Sequence, residues 1–155
     1  MNPKRLMLAR AIWLGSLAFC SQAALPAAQA QAPWQASDQG LVDPTQRLIW
    51  TRSDNGADID WTAAGAWCAS LGKDWRLPTR AELEKLTTSS PGQATPCRDA
   101  RCRVPGLFTL TGYWMWSSDR DSSGRAYYHY LHTAHTQASS IDYRLNARAL
   151  CVKAQ

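Results

Sequence analysis

From Leu41 onward the apolar residues follow two spacings, one of two residues and one of three to four. Leu41-Val42-Asp43 and Leu48-Ile49-Trp50 flank Pro44 to Arg47, which predicts a hairpin with Pro44 in the turn. Ser53 to Asp60 is polar and predicts a loop. Ala64, Trp67, Cys68 and Leu71 then stand at i, i+3, i+4 and i+7, one buried stripe of a helix from about Thr62 to Leu71. Asp60 can cap that helix, and Gly72 suits its C′ position. Pro78 pushes Leu77 into an extended conformation, so the next helix has to start beyond it. Thr79 and Glu82 form a capping box for a second helix, Arg80 to about Thr87, with Leu83 and Leu86 as its apolar stripe.

The remainder alternates as strands do. A long loop from Ser89 to Gly112 precedes Tyr113 to Ser118, where Trp114 and Trp116 share one face. After a turn region at Asp119 to Gly124, Ala126 to His132 carries aromatic residues on both faces, as a doubly buried strand would. Ile141, Tyr143, Leu145, Ala147 and Ala149 alternate with Asp142, Arg144, Asn146 and Arg148, which predicts one long strand running into Leu150-Cys151-Val152-Lys153. The fold class expected is α+β: two early helices packed on a curled antiparallel sheet. Trp67, Trp75, Leu77, Leu83, Leu86, Trp114 and Leu145 should be buried, and Arg76, between core anchors, half-buried and hydrogen-bonded.

The chain start changes the charge picture. Lys4, Arg5 and Arg10 precede a largely apolar stretch, Ala11 to Leu25, and Ala28-Gln29-Ala30 offers a small-x-small cleavage site. Residues 1–30 therefore read as a secretory signal peptide, and 31–155 as a single domain that is periplasmic or secreted. The apolar run is short for a membrane span, and Phe19 is too bulky for lipoprotein cleavage before Cys20. Without the leader, 14 basic residues face 12 acidic ones, a net +2 rather than the +5 of the whole chain. A general nucleic-acid surface is not indicated. Seven of the eight tryptophans remain, a density that suits an irregular core stapled by large rings or, less often, a sugar-stacking surface.

Cys68, Cys97, Cys102 and Cys151 remain as an even set, which in an oxidising compartment reads as two disulfides. Cys97 and Cys102 bracket only Arg98 to Arg101 and pair as a small hairpin clamp. Cys68 then pairs with Cys151, tying the first helix to the last strand.

Most catalytic and metal chemistry is not supported by these residues. The acidic loop Ser53 to Asp60 lacks the spacing and terminal glutamate of an EF-hand. His129, His132 and His135 lie three apart, so on a strand neighbouring members of the set point to opposite faces and do not converge on zinc. No G-x-S-x-G elbow accompanies the serines, and Glu82 and Glu84 diverge on their helix. No enzyme, cofactor or metal is expected.

The strings D-W-R-L-P-T-R-x-E-L-x-x-L (Asp74 to Leu86), Y-W-x-W-S-S (Tyr113 to Ser118) and R-x-L-C-V-K (Arg148 to Lys153), after a helix bearing Trp67 and Cys68, resemble one bacterial family. It is the C-terminal domain family of the Legionella collagen-like adhesin, the Lcl C-terminal domain. Met115-Trp116 is a small departure from the usual Y-W-S-S run. The resemblance covers Leu41 to Lys153 and implies a C-type-lectin-like fold with a bridge from first helix to last strand, in agreement with Cys68–Cys151. That layout is shared with formylglycine-generating sulfatase modifiers, whose reactive cysteines have no counterpart when all four cysteines are bridged. The E-P-N, Q-P-D and W-N-D triplets of calcium-dependent lectins are absent. The best-known member binds sulfated glycosaminoglycans and trimerises beside a collagen stalk. This chain has no Gly-x-y stalk and little net charge, so trimeric adhesion is not carried over.

Two function classes follow. The first is an exported, non-enzymatic binding module for a glycan or other polyanion, with Arg98, Arg101, Arg103, Arg144 and Arg148 as anion ligands and Trp116, Tyr128 or Tyr130 as stacking partners. Against this, the loop arginines can form a solvated tip partly neutralised by Asp99, and Arg144 and Arg148 can pair internally with Asp142 or Asp74. The second is a structural or assembly protein of the cell envelope that docks a protein partner through an apolar patch. Either is compatible with a homo-oligomer, and neither requires a membrane span once the leader is removed.

Overall fold

The computed structural model describes residues 33–89 and 94–155; the expected leader lies outside them. The chain begins with three short strands, β1 (Gln35–Ser37), β2 (Gly40–Asp43) and β3 (Leu48–Trp50). Two helices follow, α1 (Trp61–Ser70) and α2 (Arg80–Thr88), so the helices come after a first set of strands rather than leading the fold. Then come β4 (Thr95–Cys97), β5 (Ala100–Cys102), β6 (Trp114–Arg120), β7 (Ala126–Tyr130), β8 (His135–Ser139), β9 (Ala147–Arg148) and β10 (Val152–Ala154). The class is α+β.

The expected single antiparallel sheet is in fact three sheets. One runs β1-β2-β3-β10, the second is the β4-β5 hairpin, and the third runs β8-β7-β6-β9 with β9 parallel to β6. The β2–β3 hairpin turns through Pro44 to Arg47, as its sequence predicts. Asp43 holds that turn by accepting from Thr45 N–H and Oγ1 and from both Gln46 nitrogens. Strands β1 and β8 have no clear sequence signal. Gln35-Ala36-Ser37 and His135 to Ser139 hold few apolar residues, because their outer sides meet solvent at sheet edges.

Both helices begin where their caps dictate. Asp60 Oδ1 accepts from Ala63 N–H at α1, and the Thr79–Glu82 capping box is complete at α2. Glu82 also takes a bidentate ion pair from Arg76, whose guanidinium donates to Leu77 O as well. Although desolvation opposes it, hydrogen bonding from Arg76 and Thr79 holds the Glu82 carboxyl below the usual glutamate range. The tether between Asp74 and Thr79 therefore ends in a cap that serves loop and helix together.

The β6–β7 pair separates two cores by simple alternation. Met115, with Leu83 and Leu86 of α2 and Leu41, Trp50 and Val152 of the first sheet, forms one core. Trp116 and Tyr128, from the opposite face, meet Ala64 and Cys68 of α1 and Leu77 in the other. Cys68–Cys151 and Cys97–Cys102 are both bridged. No helix among the described residues is long and apolar enough to cross a membrane.

Four expectations of burial are corrected. Arg76 is hydrogen-bonded as expected but exposed, its side chain 46% accessible beside Glu82. Leu71, placed on the buried stripe of α1, is 40% exposed because the helix ends one residue earlier and Leu71 becomes its C-cap. Leu145 is 61% exposed, since the segment expected as one long strand is mostly turns from Ile141 to Asn146 and pairs only at Ala147–Arg148 and, in a different sheet, at Val152–Ala154. Trp67, Trp75 and Trp114 are half-buried rather than buried, each flanking the second core. Leu77, Leu83 and Leu86 are buried as expected.

Candidate functional site

Trp114 of β6 and Tyr130 of β7 are cross-strand partners, at the end of the sheet face whose middle is sealed by Trp116 and Tyr128. Around them lies an open pocket of about 500 Å³ to which α1 contributes no lining residue. Its walls are Tyr113, Trp114, Tyr130, His132, Thr133, His135 and Asn146. The aromatic side is closely packed. Trp114 meets Tyr130 edge-on at 5.1 Å and is backed by Tyr128 at 4.3 Å and Tyr143 at 5.2 Å, while Tyr113 packs on His132 at 4.3 Å. Burial, together with the neighbouring Tyr128, Tyr143 and Tyr113, pushes the Tyr130 phenol above the usual tyrosine range, so Tyr130 stays neutral.

The polar side is built by two turns. Asn146, in a left-handed conformation (φ 62°), projects from the segment preceding β9, and Arg98, likewise left-handed (φ 56°), sits in the β4–β5 turn. Arg98 Nη1 donates to Asn146 Oδ1, joining the disulfide-clamped hairpin to the pocket rim. Arg103 N–H donates to Leu131 O at 2.8 Å, which anchors the same hairpin beside His132. Three segments distant in sequence thus meet at one rim.

The sequence-predicted ligands divide accordingly. Tyr130 lines the pocket, Arg98 reaches its rim, and Arg103 and Arg144 are exposed with no side-chain partner among the described residues. Arg101, also exposed, donates to Ala94 O. The remaining three are not available at a surface. Trp116 is fully buried with Nε1 donating to Ile59 O at 2.9 Å, and Tyr128, 5% exposed, donates to Gln137 Oε1 at 2.8 Å. Both lie on the interior stretch of the same face that exposes Trp114 and Tyr130. Arg148 is also buried, donating to Thr111 Oγ1, Ala147 O and Asp58. Its internal partner is Asp58, not Asp142 or Asp74, and the hydrogen bond from Arg148 holds the Asp58 carboxyl below the usual aspartate range.

Sequence reading did not place Tyr113, Trp114, His132, Thr133, His135 or Asn146 in the site. A signal existed in Tyr113-Trp114 and Tyr130, which alternation puts at one strand end, whereas nothing local marks Asn146. The three histidines part company: His132 and His135 line the pocket, whereas His129 is buried between Thr87 Oγ1 at 3.1 Å and Thr136 Oγ1 at 2.8 Å. The acidic loop is likewise engaged internally. Asp54 accepts from Thr111 and Gly112, Asp58 pairs with Arg148, and Asp60 caps α1.

Comparison with known proteins places this architecture. No curated protein sequence matches the chain. Among solved structures, ovocleidin-17, a major protein of the Gallus gallus eggshell calcified layer, is similar at 17% identity over 79% of this chain and 96% of its own. The TM-score is 0.36, too low to carry an argument about site or function. The family model of the Lcl C-terminal domain matches residues 39–153, a span that contains both helices, both bridges and the whole pocket. This chain belongs to the Lcl C-terminal domain family.

Proposed function

We propose that the protein is an exported, non-enzymatic binding module of C-type-lectin-like topology that recognises an anionic glycan at the cell envelope or outside the cell. The observation that carries this reading is the aromatic pocket with the Arg98–Asn146 pair on its rim. Flat rings accept the C–H faces of a sugar, amide and imidazole groups match hydroxyls, and guanidinium forks suit carboxylate or sulfate. Two disulfides fit an oxidising compartment and so favour export. Family membership accords with a binding role.

The test is titration of the oxidised domain against sulfated, carboxylated and neutral glycans at low and high salt. Anionic glycans should bind, and raising the salt or changing Arg98, Arg103 and Arg144 to Ala should each weaken binding about tenfold or more. No binding to any glycan at low salt overturns the reading. A second concavity, of about 420 Å³, favours the alternative of an envelope protein that docks a partner. There exposed Leu71 lies with Trp75, Arg52 and Lys153, with the Lys153 ammonium 5.2 Å from the Trp75 ring centroid. Binding that persists at high salt and is lost on Leu71→Asp would support that alternative.

A further inference from the structure

Resting on the glycan reading, we infer that the pocket takes a single anionic pyranose ring end-on, rather than a stretch of a polyanionic chain. The first reason is the arginine inventory. A chain-tracking surface needs several cations in a row along the site, but Arg148 is buried against Asp58, and Arg101, Arg103 and Arg144, though exposed, do not line the pocket. Only Arg98 is joined to the pocket by a side-chain bond, through Asn146.

The second reason is the donor geometry at that point. Asn146 Oδ1 accepts from Arg98, and its amide nitrogen has no partner among the described residues. The Asn146 amide N–H groups and the remaining Arg98 guanidinium N–H groups thus belong to two directly bonded side chains, a donor pair whose chemistry suits one carboxylate or sulfate group. The rim is held in place beforehand. Arg148, two residues after Asn146, is buried and paired with Asp58, and Ala147 N–H donates to Arg144 O at 3.2 Å. Little ordering remains to be done on binding.

The third reason is shape. The open concavity of about 500 Å³, with Trp114 and Tyr130 among its walls, is of a size that holds one ring and its substituents rather than a run of several. The ring's apolar face meets the aromatic floor while its acidic substituent meets Arg98 and Asn146.

The experiment is an NMR chemical-shift titration of the oxidised domain with single rings: methyl β-D-glucuronide, the methyl glycoside of N-acetylneuraminic acid, and glucose 6-sulfate. Methyl β-D-glucoside is the neutral control and a heparin octasaccharide the chain control. At least one anionic ring should shift the Trp114 indole and Asn146 amide resonances, about tenfold more tightly than the glucoside. The octasaccharide should gain no more than about threefold over that ring, since only one ring enters. Asn146→Asp tolerates the left-handed backbone and keeps an acceptor for Arg98, but removes the amide donors and adds a negative charge; it should weaken the anionic ring at least about tenfold with unchanged thermal unfolding. Octasaccharide binding without response to any single ring would overturn this inference and leave the glycan reading standing. Silence from rings and octasaccharide alike would remove both.

Discussion

Arg148 shows how position within the fold decides what one residue does. By type it is a surface anion ligand; in place, Gly112 lies against its side chain, where an added Cβ would come within 2.7 Å of Arg148 Cγ. Its guanidinium links Asp58, Thr111 and Ala147 O, tying the acidic loop to the segment before β6 and to β9. Arg148→Ala should therefore lower stability by about 2–3 kcal/mol, below the full cost of breaking a buried pair because the Asp58 side chain is 40% exposed and regains water. Urea denaturation measures this; a change under about 0.5 kcal/mol would show that the pair is dispensable. Arg98 and Arg144, exposed and outside both cores, have no such burden, which is what frees them for a ligand.

At the scale of elements, α2 is pinned to the sheet by a polar chain as well as by Leu83 and Leu86. Thr87 Oγ1 contacts His129 Nε2, His129 Nδ1 contacts Thr136 Oγ1, and Thr136 donates to Glu84 at 3.2 Å, joining α2, β7 and β8. Burial holds the His129 pKa down at about 4, with His135 adding to the effect and Glu84 opposing it. The folded state therefore keeps this imidazole neutral while the unfolded chain takes up a proton below about pH 6.5. Stability should fall by about 3 kcal/mol as the pH drops from 6.5 to 4, then level off with respect to this group. Glu82 adds a second loss at lower pH, as its carboxyl, held below the usual range, becomes protonated. Denaturation midpoints across that range in wild type and His129→Gln separate the two. The variant should lose the slope above pH 4.5 and keep the one below.

At the scale of the whole molecule, the two bridges act on very different lengths of chain. Cys68–Cys151 closes a separation of 83 residues and Cys97–Cys102 one of 5. In the chain-entropy account these contribute about 4–5 and about 2 kcal/mol. Cys68→Ser with Cys151→Ser should therefore lower the denaturation midpoint far more than the Cys97, Cys102 double substitution. The smaller clamp should matter instead for binding, because it carries Arg98 to the Asn146 rim. A Cys97→Ser, Cys102→Ser variant that folds yet loses its glycan affinity would separate the two roles by calorimetry.

How far the residues announce the fold depends on the range of the interaction. Caps are legible because their partners lie within four residues: Asp60 with Ala63 and Thr79 with Glu82. The β2–β3 hairpin, both helices and the Leu83–Leu86 stripe were legible for the same reason, and the even cysteine count with one short interval led to the pairing. Alternation misled at Ile141 to Ala149, because its period of two records which side of a segment is apolar but not whether a neighbour is there to pair with it. Only the packed chain decided that Ala147–Arg148 alone would find β6, that Trp116 and Tyr128 would be sealed beneath α1 while Trp114 and Tyr130 stayed open, and that Asn146 would meet Arg98 across 48 residues. The sequence by itself determined the local elements and the chemistry available; tertiary structure decided which of that chemistry reaches a surface, since burial is a property of what lies opposite a side chain.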